Sequence, residues 1–215
     1  MCFSAQASFF AAALLTCTWI ACLLKTTKHT LFLPFIPFFF AVQQFTEGLL
    51  WVLIPRGGPT TVITAGTYIF LFIAVLGWPL LIPLAGRALE QVPQKKTIFN
   101  LFIALAFAWI AVGGYQLVAY GADATIDQSH ILYTLYSPIF LKNTALYYYL
   151  GATLLPFFIG SNRYFNALGI LTALSCIAAY YVWYAHFLSV WCFFAALISA
   201  MTYLIVASLA QEKHL

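Results

Sequence analysis

Residues 31–54 read LFLPFIPFFFAVQQFTEGLLWVLI, and this stretch decides the fold. Crossing roughly 30 Å of hydrocarbon takes about 20 predominantly apolar residues, and the stretch exceeds that length with one ionisable side chain, Glu47. Working outward, the same pattern recurs between polar breaks at about 5–24, 61–84, 97–120, 141–159, 164–184 and 187–209. The pattern predicts an all-α polytopic membrane protein, a single transmembrane domain built as a seven-transmembrane-helix bundle. Residues 131–140 are also apolar but too short to cross, so they are expected to lie on or dip into the outer interface. With only the Ala185-His186 corner between them, the last two segments must form a tight helical hairpin.

Composition agrees. Only 7% of the 215 residues are charged, against roughly a quarter in soluble domains, while 64% are hydrophobic and the mean hydropathy is +0.97. A water-facing surface cannot be assembled from so few charges, which excludes a soluble enzyme, a disordered chain, a secreted disulfide scaffold and a nucleic-acid-binding domain. Membrane lipids are the expected partners and nucleic acid is not. A signal peptide does not fit the N-terminus, because its first basic residues, Lys25 and Lys28, follow the apolar run rather than precede it.

The positions of the charges set an orientation. Of nine Lys and Arg residues, seven (Lys25, Lys28, Arg87, Lys95, Lys96, Arg163 and Lys213) fall in connections on one side, and Arg56 and Lys142 on the other. The positive-inside rule makes the first side cytoplasmic, with the N-terminus outside and the C-terminus inside.

An ionisable residue near the middle of such a helix costs roughly 2.5–3.5 kcal/mol on insertion scales. Gln43, Gln44, Glu47 and Trp51 follow helical offsets of three and four and share one stripe, which has to face the bundle. Interhelical glue is the bland account of that stripe, but a Gln would serve as glue without the cost of a carboxyl, so function is favoured. The other rare groups gather on the same outer side: Cys2 at the start of the chain, His130 in the 121–140 connection, Asn143 at the start of the fifth segment, and His186, Ser189 and Cys192 at the start of the last. Cys17, Cys22 and Cys176 read as apolar fillers, and the outer Tyr and Trp residues as an interfacial belt.

Carboxylate, imidazole and thiolate are the ligand types of zinc or a similar divalent metal, and Glu47, His130, His186, Cys2 and Cys192 form the candidate set. No local metal motif is present, so the ligands would converge from different helices. Cys2 and Cys192 are alternatively a candidate disulfide in an oxidising compartment. The expected chemistry is metal-assisted hydrolysis of a lipid or amphiphile, with Glu47, His130 and His186 catalytic and Gln43, Gln44, Trp51, Asn143 and Ser189 holding the substrate. The competing classes are a small-solute or proton transporter and a ligand sensor. Transport requires polar or ionisable groups in the inner half, where no matching ionisable residue stands and Thr16, Thr18 and Ser175 are meagre. Small residues Ser4, Ser8 and Ala12 at offsets of four admit a homo-oligomer interface.

The opening residues 1–9, MCFSAQASF, resemble an uncharacterised family of bacterial multi-pass membrane proteins that begin Met-Cys-Phe-Ser-Ala-x-Ala-Ser. The same family is similar at residues 43–51, QQFTEGLLW, around His130, and at Ser189-Val190-Trp191-Cys192 with Ala195 and Ser199. That resemblance implies a bacterial inner-membrane location, with the polar pocket towards the periplasm, and names no reaction. The span count and one-sided polar cluster are also similar to those of the seven-span metal-dependent hydrolases that include alkaline ceramidases and adiponectin receptors. The histidine pair expected on the last helix of that group is replaced here by Ser189 and Cys192 after His186.

Overall fold

The architecture was read from a computed structural model, which describes residues 4–127, 130–140 and 142–211, without the side chains of Asn143, Leu197 and Gln211. Among the described residues, six helical stretches are long and apolar enough to cross a membrane, and a seventh apolar helix is shorter. The first two are α1 (Ala5–Leu23) and α2 (Phe35–Leu53). Ser4 caps α1 by accepting from the Ala7 N–H at 3.3 Å. The two helices pack closely where Gly48 lets the Phe9 ring against the backbone; a Cβ there would lie 2.7 Å from that ring.

The third stretch runs from Thr60 to Leu89 and is not uniform. It comprises α3 (Thr60–Leu71), a π-helical turn (Phe72–Gly77) and α4 (Trp78–Leu89). Pro79 explains the turn, since it carries no N–H to reach back to the Val75 carbonyl. A side chain from another helix supplies that donor, and two more bond to neighbouring carbonyls of the stretch. Trp109 Nε1 donates to the Val75 carbonyl at 2.9 Å, Tyr149 Oη to that of Ala74 at 2.6 Å, and Gln43 Nε2 to that of Phe70 at 3.4 Å. The least regular part of the backbone is therefore where the most polar cross-links converge, because unpaired carbonyls are costly wherever water is excluded.

After α5 (Pro93–Tyr120), Gly121 at φ 82° turns the chain into an antiparallel hairpin of β1 (Ala122–Asp127) and β2 (His130–Leu135). The all-α expectation is thereby corrected at one place: the connection expected over residues 121–140 carries two paired strands. The run 130–135 is apolar but alternates, with Ile131 and Tyr133 buried, a period of two that suits a strand covering helix ends. Ala124 stands opposite Tyr133, so the small residue leaves room for the large one. β1 packs on α3 and β2 on the start of the last long helix.

The remaining helices are α6 (Asn143–Ile159), α7 (Arg163–Val182), a 3-10 turn (Tyr184–His186), α8 (Phe187–Ser199) and α9 (Met201–Gln211). The expected tight corner between the last two segments is present as that 3-10 turn, but the final segment is broken at Ala200 rather than continuous. At the end of the bundle opposite the hairpin, the Glu90 carboxylate ties two connections together, accepting from the N–H groups of Gln91, Val92 and Ser161 at 2.8–2.9 Å. Burial pushes its pKa up, but those three amides outweigh burial and hold it below the usual carboxylate range. Lys25, Lys28, Arg87, Lys95, Lys96 and Arg163 lie at that same end, and Arg56 and Lys142 at the hairpin end.

Candidate functional site

The expected stripe on α2 is real and buried. Gln43, Gln44 and Glu47 each have zero exposure, whereas Phe45 and Leu49 on the opposite face are exposed. Glu47 sits six residues before the end of α2, about 9 Å along the axis. Gln44 Nε2 donates to its carboxyl at 3.3 Å, and Tyr133 Oη reaches down from β2 to the other oxygen at 3.4 Å. The Tyr133 ring lies flat on Phe70 of α3, centroids 4.2 Å apart and planes at 3°. Tyr133 and Phe70 thus form a lid directly over Glu47.

Beneath Glu47 the polar layer ends at Gln43, which donates to the Phe70 carbonyl and, at 3.6 Å, to Cys192 Sγ. Further along, the bundle holds a small cavity of about 30 Å³ walled mainly by apolar residues such as Phe40, Trp78, Ile82, Phe157 and Leu168. Cys192 also lines that cavity.

At the tip of the hairpin the two histidines meet. The His130 and His186 rings stack with centroids 4.6 Å apart and planes at 24°. His186 Nε2 lies 3.1 Å from Asp127 Oδ2, a pairing that joins the end of β1 to the corner leading into α8. The His186 side chain is only 10% exposed and that of Asp127 is 48% exposed, so the imidazole is sheltered and its carboxylate partner faces outward. Burial and then the neighbouring His186 hold the His130 imidazole below its ordinary range, and Asp127 pulls weakly the other way.

His186 also forms part of the wall of a cleft of about 430 Å³ between β2, the first turn of α6 and the facing ends of α7 and α8. The polar residues of its lining include Lys142, Thr134, Tyr133 and the fully buried Ser189, and Trp109, Tyr149, Tyr180 and Phe187 make up much of the rest. The cleft has a simple origin. α6 has 17 residues and rises about 25 Å, whereas its neighbour α5 has 28 and rises about 42 Å, so the bundle is notched where α6 starts late.

These distances divide the sequence candidates. His130, His186 and Ser189 gather at the hairpin end around the cleft, while Gln43, Gln44, Glu47 and Cys192 form a separate layer sealed below Tyr133. Trp51 is half-buried and packs on the main core. Among the described residues, no group of three or more His, Cys, Asp or Glu side chains is placed to hold a metal ion. Cys2 and the Asn143 side chain lie outside the described residues, and with Cys2 the proposed pairing to Cys192.

A family profile matches residues 1–214, nearly the whole chain. The chain belongs to the DUF6629 family. This DUF6629 protein is thereby placed in a family of unknown function, in keeping with the resemblance to an uncharacterised family. No curated protein and no solved structure matches it.

Three residues that shape the site in this DUF6629 chain were not singled out from the sequence as site residues. Asp127 is one of two acids in a loop-like stretch, and nothing local marks it as the partner of His186. Tyr133 was grouped with an interfacial aromatic belt. The alternation through residues 130–135 could have identified a strand and put Tyr133 on its inward face. Tyr149 resembles its neighbours Tyr147 and Tyr148, and only packing distinguishes it, since it is buried and bonded to the Ala74 carbonyl whereas Tyr147 is exposed.

Proposed function

We propose that this protein is a seven-span enzyme of the bacterial inner membrane, N-terminus outside, that hydrolyses an amphiphilic ester at the periplasmic mouth of its cleft. The observation that carries the reading is His186 in the cleft wall with Asp127 on its Nε2. An ionised Asp127 accepting from Nε2–H leaves the lone pair on Nδ1 and holds the ring in that tautomer. In the proposed step, Nδ1 takes a proton from a water whose oxygen adds to the substrate carbonyl. The resulting imidazolium returns that proton to the departing alkoxide, giving acid and alcohol. Asp127 acts as a positioning residue for this chemistry and His186 as the base.

The sealed layer around Glu47 then supports the roof of the site through Tyr133 instead of reacting. The mainly apolar floor below Gln43, in which Thr153, Thr172 and Ser199 are scattered hydroxyls without a carboxyl, imidazole or amine, favours an enzyme over a conduit, because a solute path needs a continuous run of polar groups across the bundle. A divalent ion such as zinc is the second reading, for which the neighbouring His130 and His186 would have to turn out of their 4.6 Å stack so that their nitrogens converge.

The test uses the purified full-length protein in neutral detergent with long-chain p-nitrophenyl esters, and metal content measured on the same sample. Turnover lost in His186→Asn, with Asp127→Asn lowering kcat and shifting the pH profile while KM is held, supports the proton-transfer reading. Turnover untouched by His186→Asn refutes it. Stoichiometric zinc lost in His130→Ala and His186→Ala selects the metal reading.

A further inference from the structure

The cleft carries a positive charge that no acid among the described residues pairs. Lys142 lines it, and Lys142 and Arg56 are the basic residues of the hairpin end. Both acids of the hairpin are engaged elsewhere: Asp123 accepts from Tyr136 Oη at 2.8 Å, and Asp127 pairs with His186. Among the described residues, no ion pair involves Lys142. Lys142 stands exposed at a notch whose wall is otherwise largely aromatic, with Tyr149, Trp109, Tyr180 and Phe187, and a concave site of one charge sign focuses its field on an entering ligand. The apolar wall continues past Tyr184 towards Tyr181 and Ile177, all exposed on α7 and the turn after it.

We infer that the cleft takes an anionic amphiphile, with a phosphate- or carboxylate-type head against Lys142 beneath the hairpin and a hydrocarbon tail leaving sideways along α6 and α7. The inference rests on the reading of the cleft as the substrate site and adds the sign of the substrate's charge. The head alone would also come from a free inorganic anion, and the tail alone from any neutral lipid. Both groups together select a lipid-like anion, because the cation recognises one part and the aromatic wall the other. Lys142 is a point charge on a flexible stem, so it tolerates either kind of head.

The experiment measures binding of dodecylphosphonate, whose C–P bond resists hydrolysis, to the full-length protein in neutral detergent by native mass spectrometry and thermal shift. Dodecanol and inorganic phosphate are run beside it. The expected result is binding of dodecylphosphonate alone, weakened at least tenfold in Lys142→Met and more in Lys142→Glu, with Lys142→Arg retaining it. The melting points of the unliganded variants show that each folds, as the exposed position of Lys142 leads one to expect. Equal binding of dodecanol, or Lys142→Met binding as the wild type does, overturns the anionic head; binding of inorganic phosphate as tightly as dodecylphosphonate overturns the tail. Because binding is read without turnover, loss of the hydrolase reading leaves this result standing. Ester turnover without dodecylphosphonate binding sinks only the present inference.

Discussion

Replacing Trp109 with Phe tests why the π turn of the third stretch is stable. The Val75 carbonyl would normally accept from the N–H of residue 79, but that residue is proline, and Trp109 Nε1 takes the place at 2.9 Å. The Phe variant leaves a buried carbonyl with no donor, at a cost of about 1–3 kcal/mol. Hydrogen bonds between helices in membranes average only about 0.6 kcal/mol in double-mutant cycles, because a freed group usually finds another partner. Here the backbone alternative is absent, which puts the expected loss in the upper range. Trp109→Phe also removes packing area, so the decisive measurement is a cycle with Pro79→Ala. That second change returns an N–H one helical turn from Val75, and Trp109→Phe should then be less damaging by about 1 kcal/mol. Unfolding of all four proteins in mixed micelles with increasing SDS, followed by circular dichroism, gives the coupling directly. Zero coupling, with Trp109→Phe equally costly in both backgrounds, would refute the claim that proline created the vacancy Trp109 fills.

Two further outcomes concern the ends of the bundle. Glu90→Gln removes a carboxylate that gathers three amides from two connections, and should lower stability by about 1.5–3 kcal/mol in the same micelle assay. The native pKa of Glu90 is lowered, so its contribution is present above the ordinary carboxylate range and lost as pH falls through the depressed value; acid titration of wild type against Glu90→Gln should show the two converging there. The His130 pKa is also lowered in the folded protein, so its neutral form stabilises the hairpin end above about pH 6.5, the ordinary imidazole value, and that stability declines as pH falls from there towards the depressed value. Hydrogen exchange of residues 122–135 should accelerate across that window, and a His130→Phe variant that keeps the stacking should not follow it; identical acceleration in both would dismiss His130 as the cause.

Much of the architecture was readable from hydropathy because apolar length reports directly on what a helix can cross. The stripe of Gln43, Gln44 and Glu47 was readable for a related reason: helical spacing predicts a shared face, and the cost of a carboxyl predicts that the face turns inward. Residues 121–140 were not, because a short apolar run fits a strand or an interfacial helix equally well and pairing is settled between segments. The π turn was not readable either: Pro79 removes one N–H locally, but the carbonyls of the turn are bonded by Trp109 and Tyr149, which are remote in sequence.

The sequence by itself determined a helical chain apolar enough to cross a membrane, the inward face of α2, and the concentration of rare polar groups at one end. Only the tertiary structure decided that this end holds two layers, a sealed carboxyl under Tyr133 and an open cleft bearing His186, Ser189 and Lys142. Depth along a helix is a local property, set by residue count and rise. Whether two polar groups at similar depth share one site depends on what packs between them, and here that is the Tyr133 ring, delivered by a strand remote in sequence and stacked on Phe70.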